Sequence, residues 1–195
     1  MIGYYSRNTM AKILTAKTKY NEVVVPGMQE AFGYKNALSV PRLQKVVINV
    51  GIGKIVKETE KIDEVFAAVR DISGQQPVKT KAKKAIAGFK IREGLEVGVK
   101  VTLRRKRMWD FLDRLINVAL PRTKDFQGIK RNAVDQHGNL NLGLKEHTIF
   151  PEIMLDKVKH ISSLQVTVST NATTKAEGEL LFKLLGVPFQ EENKQ

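Results

Sequence analysis

The sequence predicts a two-layer fold in which helices cover one face of a β-sheet and leave the other face polar and open. Three observations carry this. Three segments, 43–50, 97–105 and 164–170, alternate apolar and polar residues with period two. Stripes of apolar residues at helical spacing lie between and after them. Each strand is also half polar, so it has one buried face only; strands covered on both faces would be apolar throughout.

Taken in order, residues 1–17 show no sustained periodicity and read as a basic arm. Tyr20, Val23, Val24, Met28 and Phe32 form a rough helical stripe that Pro26 interrupts, predicting two short helical pieces or a kink, and that Gly33 closes. In 43–50, Val46, Ile48 and Val50 share one face, with Lys45, Val47 and Asn49 opposite. Ile62, Val65, Phe66, Val69 and Ile72 make a helix of 59–73, which Gly74 stops and Pro77 forbids to continue. Residues 78–80 read as a short edge strand, and 81–94 as a Gly- and Lys-rich loop. In 97–105, Val97, Val99, Val101 and Leu103 face one way; Gly98, Lys100, Thr102 and Arg104 face the other. Met108, Phe111, Leu112, Leu115, Ile116 and Ala119 predict a helix that ends at Pro121. Residues 121–146 exceed an ordinary connection, and turns at 138–139 and 141–143 predict a projecting hairpin. Residues 148–153 read as extended. Leu164, Val166 and Val168 face inward in the last strand, with Gln165, Thr167 and Ser169 outward. Thr174 and Glu177 form a capping box for a helix carrying Leu180, Leu181, Leu184 and Leu185, stopped by Gly186 and Pro188.

The domain reading is a basic extension over 1–18, one domain over 19–190 and a tail over 191–195. The domain carries a basic loop at 80–94 and a projecting loop at 121–147. The open face of the sheet would present Lys45, Asn49, Lys100, Thr102, Arg104, Gln165 and Thr167, a set of cations and hydrogen-bonding groups suited to RNA backbone and 2′-hydroxyls.

Charge points the same way. Residues 79–107 hold eleven Lys or Arg against two Glu, a net +9 of the chain's +13. That density, interleaved with glycines and with Ile86 and Phe89, predicts a polyanion partner; an exposed aromatic among cations can stack on a base. A basic membrane-binding segment is the weaker reading, because the apolar residues form no continuous amphipathic face. The absence of Cys excludes disulfides and thiolate metal sites. No apolar run approaches the ~18 residues of a membrane span, and the N-terminus is too polar for a secretory segment.

Catalytic readings are weak. The turn Gly51-Ile52-Gly53-Lys54 between strand and helix invites nucleotide binding, the alternative function. It lacks a third Gly where Val56 stands, and Ile55 follows the Lys where a phosphate loop needs Ser or Thr. A turn with unusual backbone angles explains it better. His137, His147 and His160 are scattered without metal-ligand spacing. Asp110, Asp113 and Glu152 are the available carboxylates, and Asp110 with Arg114 has the spacing of a solvated ion pair. Trp109 sits beside an apolar stripe and reads as packing.

Several motifs in order resemble a known family. They are Val69-x-x-Ile72-Ser73-Gly74-Gln75-x-Pro77-x-x-Thr80-x-Ala82-Lys83-Lys84-Ala85, Gly88-Phe89-Lys90-Ile91-Arg92 and Lys100-Val101-Thr102-Leu103-Arg104. Leu120-Pro121-Arg122 with Asp125-Phe126, and Ile149-Phe150-Pro151-Glu152-Ile153, complete the set. Over about 20–189 the chain is similar to the large-subunit ribosomal protein L-five family, bacterial type. The resemblance implies an α+β fold, a mixed and mainly antiparallel sheet with helices on one side. It implies a cytoplasmic ribosomal protein with no catalysis and no cofactor or metal. Its partners would be 5S rRNA, 23S rRNA, P-site tRNA, the small-subunit head protein S-thirteen and neighbouring proteins of the central protuberance. Asn49, Gln75 and Thr102 match the family's 5S contacts, with Lys45, Lys100 and Arg104 beside them. The loop with Thr80, Lys81, Lys83, Lys84, Phe89, Lys90 and Arg92 resembles the one that reaches tRNA. Arg122, Asp125, Phe126, Lys130 and Arg131 fall in the region resembling an intersubunit bridge. The family often has Asp-Gly-Arg-Gly-Asn-Tyr where this chain has Asp135-Gln136-His137-Gly138-Asn139-Leu140.

Overall fold

A computed structural model describes residues 15–190, apart from Lys54, Lys57, Lys90 and 155–157. Its strands are β1 (Leu43–Gly51), β2 (Val78–Lys81), β3 (Glu96–Leu103), β4 (Leu140–Leu144) and β5 (Leu164–Thr170). They form one sheet in the order β2-β3-β1-β5-β4, and each of these pairings is antiparallel. A parallel bridge, Ile129 to Phe189, lies outside it. The helices are α1 (Ala16–Lys19), α2 (Val25–Phe32), α3 (Thr59–Ser73), α4 (Arg105–Arg114) and α5 (Lys175–Leu185). This is an α+β fold.

The core lies between the helices and one sheet face. Val46, Ile48, Val99, Leu103, Leu140, Val166 and Val168 are buried from the strands, against Met28, Val65, Val69, Phe111, Leu112, Leu181 and Phe182 from the helices. The period-two and helical stripes of the sequence therefore meet as expected. Gly33, Gly74 and Gly186 adopt left-handed angles at the helix ends, as stop positions require. Two short α-helices are present, as expected, but the change comes before Pro26, which lies in the first turn of α2. The path from α1 to α2 stays right-handed through a π-helical turn at Tyr20–Val24, where the Val25 N–H reaches the Tyr20 carbonyl; the wider turn falls just before the residue that has no N–H to give.

Five further expectations need correction. The first helix begins at Ala16, inside the stretch that reads as an arm: Thr15 caps it, and the Ala16 N–H donates to Asp113 Oδ1 at 2.9 Å. Residues 1–14 lie outside the described residues, as does the tail 191–195. Strand β3 stops at Leu103 and α4 starts at Arg105, not 108, because Arg105 takes φ +53° and turns the chain. Residues 148–153 are not extended, since His147–Ile149 forms a 3-10 turn. The stretch 121–147 is not one projecting loop. Leu140, Leu142 and Leu144 are buried, and β4 pairs with β5 as an edge strand. The Gly138–Asn139 turn is packed down: Thr170 donates from its N–H to Asn139 Oδ1 and from its hydroxyl to the Gly138 carbonyl, each at 2.9 Å. Finally, Arg114 does not pair with Asp110. It pairs with Glu152, and its guanidinium donates to the Ile72 carbonyl at 3.2 Å. An exposed helix-face pair is worth too little to outbid that half-buried arrangement.

Several titrating groups tie the fold to pH. Burial works against the Glu177 charge, but the Tyr34 hydroxyl at 2.6 Å and the N–H groups of Thr173 and Thr174 outweigh it and hold its pKa low. Tyr34 is correspondingly pushed up to about 12, by burial first and then by Glu177. Glu64, bonded to His160 and to the Lys159 and His160 N–H groups, and Asp135, bonded to Asn139 and His137, are also held low against burial. Burial pushes His147 below its ordinary 6.5, and its Nδ1 accepts the Ser162 N–H at 3.1 Å, which only the neutral ring can do. Lowered carboxylate pKa values give stability that is present above the unfolded value and lost as pH falls through the folded one. A lowered His pKa also costs stability on acidification, because the unfolded chain takes up the proton first. The thermal midpoint is thus expected to start falling below about pH 6.5 and to fall faster below about pH 4.5. A calorimetric pH series checks this, with His147→Gln expected to flatten the upper part of the decline.

Candidate nucleic-acid interface

The sheet's register builds the open face as ordered rows. Lys100, Asn49, Gln165 and Gly143 stand side by side across β3, β1, β5 and β4, with Val78 of β2 at the edge. The next row is Thr102, Val47, Thr167 and Asn141. Lys45 pairs with Ser169 one row further, and Arg104 follows one step past the Val46–Leu103 pair, next to Lys45. Cross-strand partners share a face, so the polar alternation of three separate segments becomes one surface. Gly51 and Gly143 thin its floor, leaving a groove of about 580 Å³ bordered by Asn49, Asn141, Lys145, Ser163 and Gln165.

Most of these side chains are idle in the folded chain. Among the described residues, those of Lys45, Asn49, Lys100, Thr102 and Arg104 make no internal hydrogen bond or ion pair, whereas Thr167 donates to Asn141 Oδ1 at 2.8 Å. Gln75 differs. Its Nε2 donates to the Thr102 carbonyl at 3.3 Å, and its Oε1 accepts from Arg107 at 3.2 Å. The Ser73 hydroxyl fixes the turn by accepting the Gln75 N–H at 3.2 Å and donating to the Gln75 carbonyl at 2.9 Å. The sheet thus brings Asn49, Thr102, Lys45, Lys100 and Arg104 together, and the α3 stop delivers Gln75 to the outer edge of β3.

The basic loop extends the β2–β3 hairpin. Ala82 and Leu95 continue its bonding, and Ile86 bridges Ile91 around a 3-10 turn at Ala87–Phe89. Phe89 at the tip is 74% exposed. Lys81, Lys83, Lys84 and Arg92 are exposed, Thr80 is half-buried over Gly98, and Lys90 lies outside the described residues. Lys79 does not add to the basic surface: it pairs with Glu96 at 3.1 Å and Asp63 at 3.7 Å, above the Phe66 ring. The five residues of the bridge-like region differ in setting. Phe126 packs partly against the core. Arg122 and Asp125 follow α4, and Asp125 borders a hollow with Lys145, whereas Arg131 borders another with Glu179 and Lys183 on α5. Lys130, next to Arg131, is exposed.

The nucleotide-loop reading meets a different geometry. Gly51 is the last residue of β1, paired with Gly98, and neither it nor Gly53 has positive φ. The expected unusual backbone angles are absent there, and two turns precede α3 at Thr59. Lys54 lies outside the described residues. His147 and His160 serve loop contacts, to Ser162 and Glu64. No cluster of three or more His, Asp or Glu suited to a metal occurs among the described residues. Trp109 packs beside Tyr20, ring centroids 5.6 Å apart. Two features are missing from the sequence-predicted set: Asn141 of the open face, because its segment reads as loop, and the turn at Arg105, which only its φ reveals. The alternation in Leu140-Asn141-Leu142-Gly143-Leu144 is the available signal for the first.

Comparison with known proteins gives a consistent picture. Residues 36–92 match the family described as Ribosomal protein L5, and residues 96–189 match the model of that ribosomal family's C-terminus. The chain is 49% identical over 176 residues to large ribosomal subunit protein uL5 of Desulforapulum autotrophicum, covering 90% of this chain and 98% of that one. It is 51% identical over 175 residues to uL5 of Symbiobacterium thermophilum, covering 90% and 97%, and 51% identical over 174 residues to that of a Synechocystis species, covering 89% and 97%. With both halves of the described fold matched and about half the residues shared along nearly the whole length of these relatives, the chain belongs to the bacterial-type uL5 family of large-ribosomal-subunit proteins.

Proposed function

We propose that the chain binds 5S rRNA with the open face of its sheet and helps to anchor that RNA in the central protuberance of the large subunit. One observation carries the reading: Lys45, Asn49, Lys100, Thr102 and Arg104 share a face and have no internal partner among the described residues. Lys45, Asn49 and Thr102 are half-buried, where polar groups left without partners cost free energy, and Lys100 and Arg104 are exposed cations beside them; an RNA backbone with 2′-hydroxyls supplies partners of the right kind. Gln75 adds to the surface as a brace that holds the Thr102 strand in place. The basic hairpin tip, with Lys81, Lys83, Lys84 and Phe89, is proposed to reach P-site tRNA. Arg122, Asp125, Lys130 and Arg131 are proposed to face the small-subunit head protein S-thirteen, with Phe126 holding their segment to the core. 23S rRNA and neighbouring protuberance proteins complete the partners. The role is structural, in the ribosome of the cytoplasm, without a chemical step.

The test is a salt titration of binding to 5S rRNA. About six phosphate contacts predict a log–log slope near −5. Lys83→Ala with Lys84→Ala should leave that slope unchanged if the loop serves tRNA. A flat titration, or one that follows the loop lysines alone, overturns the assignment to the sheet face.

A further inference from the structure

Arg104, Arg105, Lys106 and Arg107 stand in a row where β3 turns into α4, and the fold gains little from that charge. Arg105 holds φ +53°, a left-handed conformation that Gly adopts freely and side-chain-bearing residues do not. It opens the first turn of α4, with Lys106 and Arg107, and that turn contains no acidic residue and no side-chain cap. Cations at that end are repelled by the helix dipole. Among the described residues, the side chains of Arg104, Arg105 and Lys106 have no hydrogen bond or ion pair, whereas that of Arg107 is engaged with Gln75. The row continues the open face, because Arg104 follows the Val46–Leu103 pair and lies next to Lys45. Lys45 and Arg104 thus stand together at one corner of the sheet, the exposed Arg105, Lys106 and Arg107 follow directly in the chain, and two local features work against that run of charge.

We infer that this corner is a phosphate-binding site for an RNA backbone leaving the open face, with Arg105 and Lys106 as contacts additional to the face itself. The inference rests on the proposal that the open face binds RNA. A strand crossing rows of hydrogen-bonding groups must carry its phosphates past the end of the sheet, and there Arg and Lys meet them as charge-assisted donors. An internal role for the charge would leave ion pairs in the folded chain, and Arg105 and Lys106 make none.

The experiment uses the full chain and 5S rRNA, with an unrelated RNA of equal length as control. Arg105→Gly is expected to raise the thermal midpoint by about 2 °C, as the left-handed residue is relieved. The same change should weaken RNA binding about five-fold near physiological salt and make the salt slope shallower by about 1. Lys106→Gln should have the same effect on binding without raising the midpoint. Lys183→Gln, on the outward side of α5, should change neither. If Arg105→Gly and Lys106→Gln bind with unchanged affinity and slope, while Asn49→Ala with Thr102→Ala still loses binding, the corner site is wrong and the open-face reading stands. If the unaltered chain shows no preference for 5S rRNA, both fail together.

Discussion

Replacing Asn49 and Thr102 together by Ala is expected to weaken 5S rRNA binding about 50-fold while shifting the thermal midpoint by less than about 3 °C. Asn49 pairs with Lys100 and Gln165, and Thr102 pairs with Val47, so the two side chains occupy adjacent rows on the open face. Neither makes an internal hydrogen bond among the described residues. Truncating them removes no contact of that kind from the folded chain, and each half-exposed strand position costs about 0.5 kcal/mol or less. Each side chain would contribute one hydrogen bond to RNA, worth about 1–1.5 kcal/mol. Two such losses amount to roughly 2.4 kcal/mol, or about 50-fold in affinity. Because the lost groups are neutral, the salt slope should not change, unlike the response to a lost cation. Filter binding across a salt series, with calorimetry of the same samples, separates the two effects.

The second large effect concerns the fold. Gly178→Ala is expected to destabilise the chain by about 3 kcal/mol and lower the midpoint by roughly 9 °C. In an exposed helix that change would be favourable. Here a Cβ on Gly178 would lie 2.4 Å from Gly138 Cα and 2.7 Å from the Gly138 carbonyl oxygen. Both obstacles are backbone, and Gly138 is itself fixed at φ +71° in the Asp135–Asn139 turn. The collision cannot be relieved by a rotamer, so α5 or the turn must move. Gly143→Ala is the control: its Cβ would meet nothing within 4 Å, and a near-normal midpoint is expected.

These two glycines also show how much the sequence can convey. Alternation in 43–50 and 164–170, and the helix stops at Gly33, Gly74 and Gly186, are readable because each signal is local: a period of two or 3.6, or one residue with freedom at positive φ. The open face is readable for the same reason, since strand parity alone puts Asn49, Lys100, Thr102 and Gln165 outward once their strands are known. What stays hidden depends on distant partners. Leu140–Leu144 contains Asn141 and Gly143, both turn formers, whose signal competes with the alternation of the leucines, and pairing with β5 decides for the strand. Arg114 has a local candidate in Asp110 and pairs instead with Glu152, 38 residues away. Gln75 is legible as a presented polar side chain, but not as the brace on the Thr102 carbonyl. The turn at Arg105 is invisible because nothing in the residue type announces a left-handed conformation.

A sheet face that recognises 5S rRNA must do more than attract any polyanion by charge. The most direct measurement of that difference is a competition filter-binding titration of the full chain at physiological salt, with labelled 5S rRNA displaced either by itself or by an unrelated RNA of equal length. Recognition by the open face predicts that the unrelated RNA competes about tenfold more weakly or worse, because a set of positioned hydrogen-bonding groups worth a few kcal/mol separates the two. It also predicts that Asn49→Ala with Thr102→Ala removes most of this difference. Equal competition by both RNAs, or a preference that survives the double substitution, would contradict it.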